Sequence, residues 1–308
     1  MADAPTARIE YDEFGLFHEN AEEFGLPYES PPVVRRERVE LDDGRALSAL
    51  VWGDADPELV LLHGGAQNAH TWDTVALALD RPLVAIDLPG HGHSDGGRNG
   101  SLDLAANAAD VATAIAALAP KARAVAGMSL GGITSLAIAG QSPELVRALV
   151  LIDVTPGVDD QKAAAIIAFI NGPESFADFD EILARTVQFN PTRSESSLRR
   201  GILHNAVQRD DGSWVWRYAR FRADEPQPEG GVAERFDRAA LWDVIGGLTM
   251  PLMLVRGMAA GSVVTDDDEA ELLRRQPGAR VERVDGAGHS VQGDKPIELA
   301  ALLEDFVP

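Results

Sequence analysis

Eight short apolar runs punctuate the chain. They are "RRERVEL" (35–41), "ALSALVW" (46–52), "ELVLLH" (58–63), "PLVAID" (82–87), "ARAVAG" (122–127), "ALVLID" (148–153), "LMLVRG" (252–257) and "ARVERVD" (279–285). Each has strand length, and most are separated by segments with helix-like spacing: 102–119, 130–140, 266–275 and 296–306. Repeated strand, helix, strand order predicts a doubly wound, mainly parallel eight-stranded sheet with helices on both faces, an α/β fold. The first two runs are separated only by a few residues around "DDG" (42–44), so they are expected to form an antiparallel hairpin at one edge.

The alternation stops once. Between about residues 156 and 245 no run reads as a buried strand, and the segment is cut by "NGPES", "NPTRSESS", "RDDGS" and "DEPQPEGG". Ninety residues are too many for a crossover loop, so the expectation is an inserted helical cap at 156–245. The core then comprises 35–155 and 246–308, with an acidic N-terminal extension at 1–34. Ten of the chain's 18 aromatic residues fall in the insert. Some must form its own small core. Trp214, Trp216, Tyr218 and Phe221 are the candidates for lining a pocket where the insert meets the sheet, since pockets favour such boundaries and aromatic walls.

Charge narrows the partners. The formal net charge is −22, which repels nucleic acid and anionic membrane alike. Cysteine is absent, so disulfides, thiolate nucleophiles and Cys-ligated zinc are excluded. The start "MADAPTARIEYDEFG" lacks the basic and apolar regions of a secretory signal, and the longest apolar run, Ala163 to Ile170, is far too short for a membrane span. A cytoplasmic protein with no cofactor and no metal is expected, its partner a small molecule, with a homodimer left open.

The chemistry starts at "AGMSLGGI" (126–133). Gly127-Met128-Ser129-Leu130-Gly131 fits G-x-S-x-G between a strand and a helix, the nucleophile elbow, in which a serine sits on a tight turn that leaves no room for side chains two residues away. A serine hydroxyl needs a base. His289, in "DGAGHSVQ" after the last strand-like run, is favoured because loops after parallel strands share one sheet edge with the elbow. His63, His91 and His93 lie in loops at strand ends. His18, His70 and His204 read as surface or helix residues.

Five segments together resemble the α/β-hydrolase fold family, in its capped esterase, lactonase and C–C hydrolase group: "LLHGGAQNAHTW" (61–72), "AIDLPGHGHSD" (85–95), "GMSLGG" (127–132), "LVLIDVTP" (149–156) and "GAGHS" (286–290). The resemblance spans nearly the whole chain in the family's order. It implies an oxyanion hole from the N–H groups of Gly65 and Leu130 and a structural role for His63, His91 and His93. The family often carries its acid as G-x-x-D after the seventh strand, but here Gly257 is followed by "MAAG". Asp153, at the end of the sixth strand, matches the acid position of other members; Asp266 is the alternative.

The implied activity is hydrolysis of a medium to large apolar ester or lactone through an acyl-enzyme on Ser129. A serine nucleophile argues against dehalogenase and epoxide hydrolase chemistry. "HSVQG" lacks the tryptophan that C–C hydrolases often place after the histidine, which weakens that reading. A cofactor-free haloperoxidase or perhydrolase and a non-hydrolytic small-lactone receptor are the remaining alternatives.

Overall fold

The structure, a computed structural model, describes residues 8–97, 103–158, 160–218 and 237–307. Its strands are β1 Val34–Glu40, β2 Ala46–Trp52, β3 Leu59–Leu62, β4 Leu83–Ile86, β5 Ala124–Met128, β6 Leu149–Ile152, β7 Ser175–Phe176, β8 Ala206–Gln208, β9 Trp214–Trp216, β10 Leu252–Gly257 and β11 Arg280–Val284. Its helices are α1 Phe17–Phe24, α2 Asp73–Leu79, α3 Leu104–Leu118, α4 Leu130–Gln141, α5 Asp160–Ile170, α6 Phe179–Phe189, α7 Glu195–Asn205, α8 Arg238–Gly247, α9 Asp266–Arg275, α10 Val291–Asp294 and α11 Pro296–Phe306.

Eight strands form one sheet in the order β1-β2-β4-β3-β5-β6-β10-β11. Only β2 runs against its neighbours, antiparallel to both β1 and β4; the pairs from β4 to β11 are parallel. All eight runs expected from the sequence are these strands, and β1 and β2 form the edge hairpin. Side chains alternate between two apolar layers. Val60, Leu62, Val84, Ile86 and Val125 pack on the layer that includes residues of α3 and α4. Leu59, Leu61, Leu83, Ala85, Ala124 and Ala126 pack on the opposite layer, with residues of α1, α2 and α11. Burial on both faces is why these strands read as continuous apolar runs. Edge strand β1 instead alternates, and its charged side chains guard the edge.

The strand order reverses direction at β3. The chain steps from β3 to β4 on one side, then crosses to β5 on the other. In open parallel sheets such a switch point opens a crevice at the carboxyl ends of the two strands. The turns leaving β3 and β5 are those that carry Gly65 and Ser129.

The segment between β6 and β10 is not purely helical. Besides helices it holds a three-stranded antiparallel sheet, β7-β9-β8. Strands of two and three residues are too short to show a period, and "RDDGS", read as a break, is the turn joining β8 to β9: Arg209 N–H donates to Ser213 O at 2.7 Å, and Gly212 has φ 86°. A separate apolar cluster of Phe176, Ile182, Ile202, Leu203, Ala206 and Trp214 packs this segment, and Ile9, Tyr11 and Leu16 of the N-terminal stretch lie against it. The same stretch is tied to the core through Phe17, 4.9 Å from the Trp52 ring. Among the described residues no helix is long and apolar enough to cross a membrane.

Candidate active site

Four non-glycine residues have a positive φ among those described: Ala66 (59°), Asp80 (44°), Ser129 (51°) and Asp153 (45°). Asp80 ends helix α2. The other three lie at the carboxyl ends of the adjacent strands β3, β5 and β6. Left-handed backbone at such residues costs of order 1–3 kcal/mol each and survives only where surroundings enforce it.

The elbow shows the enforcement. A Cβ on Gly127 would sit 2.3 Å from the Gly131 carbonyl oxygen, and a Cβ on Gly131 would sit 2.3 Å from that of Leu62. Strand, turn and helix therefore meet backbone to backbone, and only glycine fits at either position. Ser129 N–H donates to Ile152 O at 3.2 Å, tying the turn to β6. The serine itself is half-buried. Leu130 opens helix α4, whose first N–H groups have no partner inside the helix.

Next to it, Asp153 is wholly buried and accepts four hydrogen bonds. Oδ1 takes Gly257 N–H at 3.0 Å and Ser262 Oγ–H at 2.6 Å; Oδ2 takes Val263 N–H at 3.0 Å and faces His289 Nδ1 at 2.8 Å. The loop after β10, where the sequence lacks an acid, thus supplies donors to an acid held on β6. Asp266 is elsewhere: its side chain is 94% exposed and pairs with Arg256 at 2.7 Å. Ser262 and Val263 were not singled out by the sequence, since a loop serine and an N–H carry no pattern of their own.

The turn after β3 is braced from several sides. Gln67 Oε1 accepts Gly64 N–H at 3.0 Å, and Asn205 Nδ2 of the inserted segment donates to Ala66 O at 2.7 Å. Ile170 of α5 lies over Gly65, its Cδ1 3.6 Å from where a Cβ would stand. His63 bridges two turns, receiving Leu88 N–H on Nε2 at 2.9 Å while its Nδ1 lies 2.7 Å from Gly64 O. Burial, with the neighbouring His91, holds its pKa down to about 3, so the ring is neutral.

The aromatic candidates separate. Trp214 is buried in the inserted segment's own cluster, edge-on to Phe179. Trp216 lines a cavity of about 160 Å³ between core and insert, with Gln67, Phe169 and Gln292 among its other walls. Tyr218 is buried and stacks on Trp216, ring centroids 5.7 Å apart. Phe221 lies outside the described residues.

The model of the Alpha/beta hydrolase family matches residues 59–302. The chain belongs to the alpha/beta hydrolase family. Among its relatives, the esterase Rv0045c of Mycobacterium tuberculosis (strain ATCC 25618 / H37Rv) is 42% identical over 299 residues, 95% of this chain and 94% of that protein. A solved structure of that M. tuberculosis esterase, from work on its transition metal inhibition, superposes with a TM-score of 0.81 at 41% identity, covering 96% of this chain and 99% of the other. E-2-(acetamidomethylene)succinate hydrolase shares the fold, with a TM-score of 0.74 at 24% identity over 89% of this chain and 99% of its own.

One feature of this hydrolase departs from expectation. His70 and His204, read as surface or helix residues, are 8% and 4% exposed and stack face to face, centroids 3.8 Å apart. They come from the core and the insert respectively, 134 residues apart, so no local spacing could pair them. Burial alone would lower the His70 pKa, but the Asp73 carboxylate beside Nδ1 (2.9 Å) and Glu13 beside Nε2 (3.1 Å) raise it to about 9. Burial and the His70 charge push His204 well below its ordinary value.

Proposed function

We propose that the protein is a serine esterase acting on carboxylic esters or lactones with an apolar acyl part. The observation that carries the reading is the 2.8 Å contact of His289 Nδ1 with a buried, four-bonded Asp153, on the strand next to a strained serine elbow. An esterase relative 42% identical over 95% of the chain supports it.

In this reading Ser129 Oγ attacks the acyl carbonyl as His289 Nε2 takes its proton. The Gly65 and Leu130 N–H groups receive the developing oxyanion, usually the largest catalytic contribution. His289 then protonates the leaving alcohol, which departs and leaves Ser129 acylated. Water, deprotonated by the same nitrogen, attacks the acyl-enzyme, and His289 returns that proton to Ser129 Oγ as the C–O bond breaks and the acid leaves. Asp153 keeps the His289 proton on Nδ1 and balances the imidazolium. Trp216 and Phe169, which line the cavity between core and insert beside the turn after β3, are assigned to the acyl part of the substrate, with the insert serving as a cap, while Trp214 packs the cap itself. The transition metal inhibition described for the relative is carried to this chain as an expectation.

The test is covalent. A fluorophosphonate probe labels Ser129, and Ser129→Ala loses both labelling and hydrolysis of a p-nitrophenyl ester while keeping the wild-type circular dichroism. Labelling at another serine, or turnover unchanged in the variant, overturns the assignment.

A further inference from the structure

The cavity beside the active-site turn has a second wall that the proposed hydrolysis does not use. His70 and Asp73 come from the segment after β3, one helical turn apart, and His204 comes from α7 of the insert. Their ligand atoms all lie within 4.8 Å of one another, and each residue is more than nine-tenths buried. Asp73 Oδ1 and His204 Nε2 have no hydrogen-bond partner among the described residues, although both residues line the cavity. A buried polar atom left without a hydrogen bond is costly, so one such atom calls for an explanation and two on neighbouring residues call for a shared one.

The remaining nitrogens point to what that is. A metal-binding histidine hands its second ring nitrogen to a carboxylate or another polar group, which orients the ring. Here His70 Nε2 lies 3.1 Å from Glu13 Oε1, and His204 Nδ1 lies 2.7 Å from Tyr11 Oη. The supporting contacts exist for both rings, and they leave His70 Nδ1, His204 Nε2 and the Asp73 carboxylate converging. His204 Nε2 and Asp73 Oδ2 are 3.8 Å apart, near enough to be bridged by an ion with bonds of about 2 Å.

We propose that His70, Asp73 and His204 bind one divalent transition-metal ion and that this ion fastens the insert to the core beside the active-site turn. Two imidazoles and one carboxylate suit zinc, nickel, cobalt or copper and not magnesium or calcium, which take oxygen ligands. The ion takes the place of the proton between His70 Nδ1 and Asp73, and that proton leaves to solvent. Because the rings stack within 12° of parallel, one must turn out of the stack to bring the ion into both ring planes. Asn68 and Asn205, on either side of His204, reach its carbonyl and that of Ala66, so an ion here bears directly on the turn that carries Gly65. The activity arm of the test rests on the esterase reading; the binding arm does not.

The experiment is calorimetric titration of the untagged protein with Zn²⁺, backed by the visible absorption of Co²⁺. The wild type binds one ion per chain. His204→Ala and Asp73→Asn each weaken Zn²⁺ binding at least tenfold, whereas His289→Ala and His18→Ala stay within twofold of wild type. Affinity unchanged in the first pair, or lost in His289→Ala, overturns the proposal. Zn²⁺-soaked crystals of the wild type give a check that does not depend on any variant folding. An anomalous peak between His70, Asp73 and His204 supports the site, and a peak only at His289 or on the surface overturns it. In esterase assays His204→Ala is at least tenfold less sensitive to Zn²⁺, measured against its own metal-free rate. Should the protein hydrolyse no ester, the esterase reading fails while calorimetry still decides the metal site.

Discussion

Replacing Asp153 by asparagine tests the proposed site at its most connected atoms. The carboxylate accepts two donors on each oxygen: Gly257 N–H and Ser262 Oγ–H on Oδ1, Val263 N–H and His289 Nδ1 on Oδ2. An amide keeps one oxygen and turns an NH₂ toward the other pair. With the NH₂ toward Oδ1's partners, Ser262 can rotate to accept, but the Gly257 N–H meets another donor. With the NH₂ toward Oδ2's partners, Val263 N–H is orphaned and His289 is driven to the tautomer with its proton on Nε2, where it cannot receive one from Ser129. Bonds to a charged group contribute about 1.5–3 kcal/mol each, and a stranded buried donor costs about 1–3 kcal/mol.

Either orientation should therefore lower unfolding stability by about 2–4 kcal/mol, since at least one charge-assisted bond is lost outright. Turnover should fall by about 10⁴, as when the matching acid of a serine protease becomes asparagine, or about 5.4 kcal/mol of barrier. Urea denaturation and ester hydrolysis measured on one preparation give both numbers. Asp266→Asn is the control, expected to stay within about 0.5 kcal/mol and tenfold of wild type, because its side chain is 94% exposed and pairs with Arg256 at a helix start. Turnover within tenfold of wild type in Asp153→Asn would refute its assignment as the acid. Lost turnover at unchanged stability would refute the argument from the four bonds.

Ser262→Ala should lower kcat about 10- to 100-fold with KM nearly unchanged, since a 2.6 Å bond to a charged acceptor contributes about 1.5–3 kcal/mol. Ser262→Thr, which keeps the hydroxyl, should recover most of it, and a loss in both variants would argue for disturbed packing instead. Trp216→Ala should raise KM for a long-chain ester more than for an acetate, whereas Trp214→Ala should lower the melting temperature and leave the ratio of the two unchanged; the reverse pattern in paired Michaelis curves and melts would reject the division between wall and packing residue.

What was legible in the chain follows from where the information sits. The six inner strands of the main sheet are legible because burial on both faces makes each a run of apolar residues, as in "ELVLLH" and "ALVLID", and the edge strands β1 and β11 are legible from their length and place beside them. The elbow is legible because Gly127 and Gly131 are demanded by contacts with neighbouring backbone, and those contacts leave a fixed local spacing. Strands β7, β8 and β9 escape notice because two or three residues cannot display a period. His70 and His204 escape for a different reason. Their burial depends on the docking of α7 against the segment after β3, and each taken alone sits in a helical turn with an apolar residue before it and a polar one after it. Ser262 is invisible to pattern for the same reason: its role is defined by the oxygen it reaches, 109 positions away in the chain.

The place proposed for the acid has a structural reason. At the ends of β5 and β6 the backbone turns through positive φ at Ser129 and again at Asp153, and the two turns are stitched by adjacent ladder bonds, Ser129 N–H to Ile152 O and Asp153 N–H to Val255 O. An acid on the strand beside the elbow is thus held by the same hydrogen-bonded layer that holds the serine. An acid on the loop after β10 would sit one strand further out and would depend on that loop for its position. In the proposed reading the loop carries no acid and supplies hydrogen-bond donors instead, through Ser262 Oγ and Val263 N–H. The strain at Asp153 therefore has a use. It sits where the chain leaves β6, at the residue whose carboxylate meets the donors of the β10 loop and His289.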